Sequence, residues 1–93
     1  MLNNYECVFI EREHINNVKE GSENILKYIK ENAEIRVFED AGLRNFAYSI
    51  QGNDSGYFYY IRFISESSFI SKLERKLRLS KNVLKFIVMR TDD

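Results

Sequence analysis

The chain has 93 residues, 44% of them hydrophobic and 30% charged, a size that builds one hydrophobic core and excludes a large multidomain enzyme. It buries only roughly 60–65% of the surface its unfolded form exposes, which leaves little apolar area for a deep catalytic cavity. Fourteen Lys plus Arg oppose fourteen Asp plus Glu, and a formal charge of zero, taken whole, argues against a dedicated nucleic-acid binder. Cys7 is the only cysteine, so no intramolecular disulfide forms and a reducing cytosol suits the chain. No run approaches the roughly twenty apolar residues of a membrane span, and Met1 to Asn4 lacks the start of a secretory signal. The expectation is one soluble cytoplasmic domain over residues 1–93, with no membrane partner.

Tyr5 to Ile10 is β-rich and apolar on both parities, which predicts a strand flanked on both faces. Ile15, Val18, Ser22, Ile25 and Ile29 recur at spacings of three and four with charges between them, an amphipathic helix that Asn32 helps to end. Gly21 falls within it and weakens it by roughly 1 kcal/mol relative to alanine. Ile35 to Glu39 alternates as a strand, Ala41-Gly42 interrupts it as a bulge, and Leu43 to Ile50 resumes it. Gln51 to Gly56 reads as a hairpin loop before the strand Tyr57 to Ile64. Ser65 or Ser67 can cap a second helix that buries Phe69, Ile70, Leu73 and Leu77, and Val83 to Met89 is the last strand. The order strand, helix, strand, strand, helix, strand gives an α+β, ferredoxin-like βαββαβ plan: a four-stranded antiparallel sheet with both helices on one face. The first and third strands are then central, and Tyr5 neighbours Met89 and Arg90.

Charges on strands mark the uncovered face, since an unpaired charge against the helices costs several kcal/mol. Glu6, Arg62 and Lys85 are those markers, and period-two alternation puts Val8, Ile10, Phe58, Tyr60, Ile64, Ile87 and Met89 beside them. Cys7, Phe9, Tyr57, Tyr59, Ile61, Phe63, Leu84, Phe86 and Val88 face the helices. So much apolar surface on an open sheet marks a protein interface, unless the chain's own loops cover it. The neutral total also hides a polarity: residues 1–40 hold five basic and nine acidic side chains, residues 41–93 nine basic and five acidic. Lys72, Arg75, Lys76, Arg78, Lys81, Lys85 and Arg90 face only Glu74 between positions 72 and 90, a density that attracts phosphate. A solvated helix face accounts equally well for Lys72, Arg75 and Lys76, but less well for Lys81, Lys85 and Arg90 near the last strand.

No catalytic chemistry is legible. His14 is the only histidine and has no second ligand at metal-binding spacing. Glu39 and Asp40 point to opposite strand faces, so they cannot work as an acid/base pair. A phosphate-cradling glycine loop and a nucleophile elbow are both missing. Neither a cofactor, a metal nor a small-molecule substrate is expected.

Tyr5-Glu6, Glu39-Asp40-Ala41-Gly42-Leu43-Arg44, Ala47-Tyr48-Ser49-Ile50, Gly56-Tyr57-Phe58, Leu73 to Leu79, Asn82 to Lys85 and Val88-Met89-Arg90 together resemble the bacterial-type ribosomal small-subunit protein six family. The likeness runs through essentially the whole chain, with Ser49 standing where the family commonly has proline. It implies a structural protein of the small subunit that pairs with small-subunit protein eighteen and binds the central-domain rRNA of the platform. On that reading Tyr5, Arg44, Lys81, Lys85 and Arg90 contact rRNA, while the protein partner covers Val8, Ile10, Phe58, Tyr60, Arg62, Ile64, Ile87 and Met89. For Arg44 the competing role is a salt bridge to Glu39 or Asp40. The rival class is an RNA-recognition motif, which has the same order of elements. Ser55 to Arg62 echoes its octapeptide but departs from it at Ser55, Phe58 and Arg62, and parity turns Tyr57 and Tyr59 toward the helices. A third reading, an acylphosphatase-like enzyme, lacks the glycine-rich anion loop.

Overall fold

The computed structural model describes residues 1–13 and 18–91, with backbone alone at 18–20. His14 and Ile15 lie outside the described residues, as does the Val18 side chain. The elements are β1 (Leu2–Arg12), α1 (Val18–Asn32), β2 (Glu34–Ile50), β3 (Asn53–Glu66), α2 (Ser68–Leu79) and β4 (Val83–Thr91). The sheet order is β2-β3-β1-β4 with every neighbour antiparallel, so the two central strands and the ferredoxin-like plan are as the pattern predicts. Tyr5 pairs with Phe63 on one side and Arg90 on the other.

Alternation along β1 and β3 sends Tyr5, Cys7, Phe9, Tyr59, Ile61 and Phe63 to one side. There they meet Ile25 and Ile29 of α1 and Phe69, Leu73 and Leu77 of α2. Phe9 stacks on Tyr59 at 5.0 Å and Phe63 meets Phe69 edge-on at 6.1 Å. Each such buried side chain contributes roughly 1.5–3 kcal/mol by leaving water. Burial pushes the Cys7 thiol up to about 12, which makes it a core residue without nucleophilic character.

Gly42 sits at φ 81° where the β2 register slips, the bulge its sequence context requires. The hairpin is tighter than expected. Only Gln51 and Gly52 form the turn, both at positive φ (49° and 79°), and β3 begins at Asn53. Asn53 closes the turn by donating to the Ile50 and Gln51 carbonyls. Ser67 is the N-cap of α2, but its hydroxyl makes no capping bond.

A bulge between Ile10 and Glu11 changes the end of β4, because Glu11 pairs with Val83 and Ile10 with Lys85. Val83 consequently joins the helix-side core. Leu84, expected to face the helices, is instead buried apart from that cluster, as is Ile10.

Candidate functional site

The face of the sheet away from the helices is built around a pair of charges on the central strands. Glu6 lies opposite Arg62, with Arg62 Nε 3.9 Å from Glu6 Oε1 and the side chains 27% and 35% exposed. Val8, Tyr60 and Ile64 are half-buried around them, and Ile87 and Met89 on the β4 edge are 50% and 45% exposed. Met89 pairs with Glu6 and Ile87 with Val8, so these side chains form adjacent rows on one surface. Lost hydration, and then the neighbouring Glu6 carboxylate, raise the Tyr60 hydroxyl above its ordinary pKa.

The chain covers the other end of this face itself. Gln51, at the hairpin tip, donates from Nε2 to the Leu84 carbonyl at 2.8 Å, and Phe46 packs edge-on against Phe58 at 6.0 Å. Ile10 is only 8% exposed as a result. It was expected on the partner-facing surface, but it is an internal contact of the hairpin, and Phe58 is half-covered by Phe46. Val8, Tyr60, Arg62, Ile64, Ile87 and Met89 are left as the accessible set.

The basic candidates do not gather at one end. Lys85 is exposed opposite Ile10, on the open face, whereas Arg90 is exposed opposite Tyr5, on the other parity and five residues along β4. Five residues of strand span roughly 17 Å. Lys81 stands in the turn before β4, near Lys85 in sequence. Arg44 is exposed on the outer strand β2, where its Nε donates to the Ala41 carbonyl at 3.2 Å. Tyr5 corrects the expectation most plainly: its ring is 6% exposed and stacked on Phe63 at 5.6 Å. It shares the parity of Cys7 and Phe9, so alternation turns its ring into the core and away from any RNA.

Two residues at the end of β1 were missed because the predicted strand stopped at Ile10. Arg12 continues the open-face parity of Glu6 and Val8. Glu11 continues the helix-facing parity and is fully buried, contrary to the rule that strand charges mark the open side. Gly21 of α1 passes so close that a Cβ there would collide with Glu11 Oε2, which explains a glycine inside that helix. Burial raises the Glu11 carboxyl to about 7, while the Ser22 backbone N–H pulls the other way. Tyr57 and Tyr59 also lie on the helix side: Tyr59 is 2% exposed and Tyr57 packs against the core. Neither ring can stack a base on the open face as an RNA-recognition motif requires.

The family model for ribosomal protein S6 matches residues 4–90. This chain belongs to the ribosomal protein S6 family. It is 38% identical over 93 residues to small ribosomal subunit protein bS6 of Azobacteroides pseudotrichonymphae, covering 96% of this chain and 82% of that one. The bS6 protein of Helicobacter acinonychis is 35% identical over 96 residues, with 98% of this chain and 66% of the relative covered. That of Rickettsia prowazekii is 34% identical over 91 residues, with 95% and 75% covered. Among solved structures, 30S ribosomal protein S6 of Thermotoga maritima superposes with a TM-score of 0.88 at 24% identity, over 98% of this chain and 89% of that one. An uncharacterized Thermotoga maritima protein shares the fold at a TM-score of 0.69 and 11% identity, over 99% of this chain and all of that one. Membership makes the chain an S6 protein of the small ribosomal subunit, acting in translation at the ribosome in the cytoplasm.

Proposed function

We propose that this S6 protein is a structural, non-catalytic component that forms a single domain and binds the central-domain rRNA of the platform together with small-subunit protein eighteen. The observation that carries the reading is the open sheet face. Ile87 and Met89 stay half-exposed beside Val8, Tyr60 and Ile64, around the Glu6–Arg62 pair, and the hairpin covers only the opposite end. Apolar rows with a charged pair at their centre suit a protein partner that buries the former and complements the latter. Arg44, Lys81, Lys85 and Arg90 surround the sheet as exposed cations suited to phosphate. They are spread over both edges, which fits RNA passing around the sheet rather than a single basic pocket.

The deciding experiment measures RNA affinity of the chain alone and with small-subunit protein eighteen, and asks whether the chain co-purifies with small subunits. Weak binding alone, strengthened by the partner, is expected. Reversing charge at Lys85 and Arg90 should flatten the salt dependence by roughly one counterion unit each, and an unchanged slope removes them from the contact set. Tight binding of short single-stranded RNA by the lone chain, abolished by Tyr57→Ala without unfolding, would favour the recognition-motif reading instead.

A further inference from the structure

On the side of the molecule away from the open sheet face, α1 and α2 diverge around a groove of about 710 Å³, within the size range of small-ligand sites. Lys72, Arg75 and Lys76 line it from α2, at a spacing that puts all three on one helical face. Asn24 from α1 and Asn82 from the turn before β4 add side-chain amides. Among the described residues the lining contains no acidic residue, and no carboxylate pairs with any of the three cations. Lys76 Nζ lies 4.8 Å from the centre of the Tyr28 ring, which holds one cation against the groove wall. At Gly21 the space a side chain would take is filled by the buried Glu11 carboxylate, with the Asn82 amide beside it, so one acid lies beneath the groove without lining it.

Three cations sharing a concave wall repel one another, and a cleft between low-dielectric walls concentrates their field. On a merely solvated helix face, cations would be interspersed with acids or directed outward. Here three exposed cations line one groove together with two side-chain amides, a set that suits the tetrahedral, multiply accepting oxygens of phosphate. We propose that the groove between α1 and α2 binds the sugar–phosphate backbone of RNA, as a contact separate from the sheet face. The choice of RNA as occupant rests on the ribosomal reading, whereas the anionic character of the ligand follows from the groove itself.

The test is an NMR titration of the full chain with a short oligouridylate at low salt, and in parallel with an oligoglutamate peptide of equal charge. The oligouridylate should shift the Asn24 and Asn82 side-chain amides and the backbone amides of residues 72–76. Lys72→Gln with Arg75→Gln should abolish those shifts, and this pair keeps Lys76 over Tyr28, so preserved dispersion elsewhere verifies the fold. Replacing all three cations, Lys76→Gln included, should lower the salt slope of RNA binding by about two relative to the unsubstituted chain, at about 0.7 per cation on a single strand. Lys85→Gln with Arg90→Gln should leave the groove signals in place. Shifts that are absent, or that survive the α2 substitutions, overturn the proposal, and so does an oligoglutamate response that equals or exceeds the RNA response, which would assign the groove to an acidic protein segment. Co-purification with small subunits is scored independently, so failure of the groove is distinguishable from failure of the ribosomal role.

Discussion

The two faces of the sheet are made from the same strands and similar residues, yet they end in different states. On the helix side, β1 and β3 direct Tyr5, Cys7, Phe9, Tyr59, Ile61 and Phe63 against α1 and α2, and all are nearly inaccessible. On the other side, the same strands direct Glu6, Val8, Tyr60, Arg62 and Ile64 outward, and only the hairpin end covers part of the surface. Apolar burial on the first face is complete within the chain and stabilises the fold. Apolar area on the second stays accessible on the chain alone, and under the proposed function a partner's cover would favour association instead. The division is sharpest along β1, a single strand that supplies both surfaces.

The largest expected effect tests that division directly. Phe63→Ala removes a fully buried ring stacked on Tyr5 and edge-on to Phe69, and should cost about 3–5 kcal/mol in urea denaturation. Ile87→Ala or Met89→Ala removes a half-exposed side chain and should cost the isolated chain less than about 1 kcal/mol. Equal losses on the two faces would show that the open face is also part of the folding core.

Glu11 breaks the pattern on the helix side and gives the next effect. Its carboxyl, ordinarily near 4.5, is raised to about 7. Below the lower value both folded and unfolded chains hold the proton, and stability is greatest. Between the two values only the folded chain keeps it, so stability falls as pH rises and levels off above about 7. The total loss is on the order of 3 kcal/mol. The Ser22 backbone, the Tyr59 hydroxyl and Asn82 face this carboxyl from α1, β3 and the turn before β4. Glu11→Gln should flatten the profile and leave the variant the more stable protein at pH 8, with the difference vanishing near pH 4. Chemical denaturation across that range checks it, and a parallel pH profile for both proteins would show that Glu11 is hydrated in the folded state.

Alternation and the order of elements carried most of the architecture, because a sheet with one covered face forces period two on its central strands. Tyr57 and Tyr59 were placed on the correct side by that rule alone. The same rule applied to Tyr5 points inward, and the rRNA role given to it came from family likeness rather than from its parity. What alternation could not reach was any feature set by a register slip or by a distant segment. The bulge after Ile10 moved Val83 into the core and Leu84 out of it, and nothing in the local pattern marks such a slip. Ile10 is buried where the hairpin returns over the sheet, with Gly56 beside it and Gln51 bonded to the Leu84 carbonyl thirty-three residues away in sequence. Glu11 was within reach, since extending period two by one residue pairs it with Phe9 and Cys7. The glycine of α1 that accommodates it was read only as a helix weakener. The α1–α2 groove was visible as a run of cations, but its concavity required both helices in place.

The smallest expected effect makes the comparison within one strand, between two carboxylates five residues apart. Glu6 faces the open side, partly exposed and 3.9 Å from Arg62, and Glu11 faces the helices, fully buried. A partly solvated ion pair contributes about 0–1 kcal/mol and is screened by salt. Glu6→Gln should therefore lower stability by less than about 1 kcal/mol at low ionic strength, and by less still in 1 M salt, where the Debye length is about 3 Å. The sign is opposite to that of Glu11→Gln at the same neutral pH, because one substitution removes a charge that has a partner and the other removes a charge that folding takes out of water. Denaturation of both variants in low and high salt reads the two signs together. A stabilising Glu6→Gln would mean that the open-face pair is already desolvated in the free protein, and that this face differs from the helix side in its cover but not in its electrostatics.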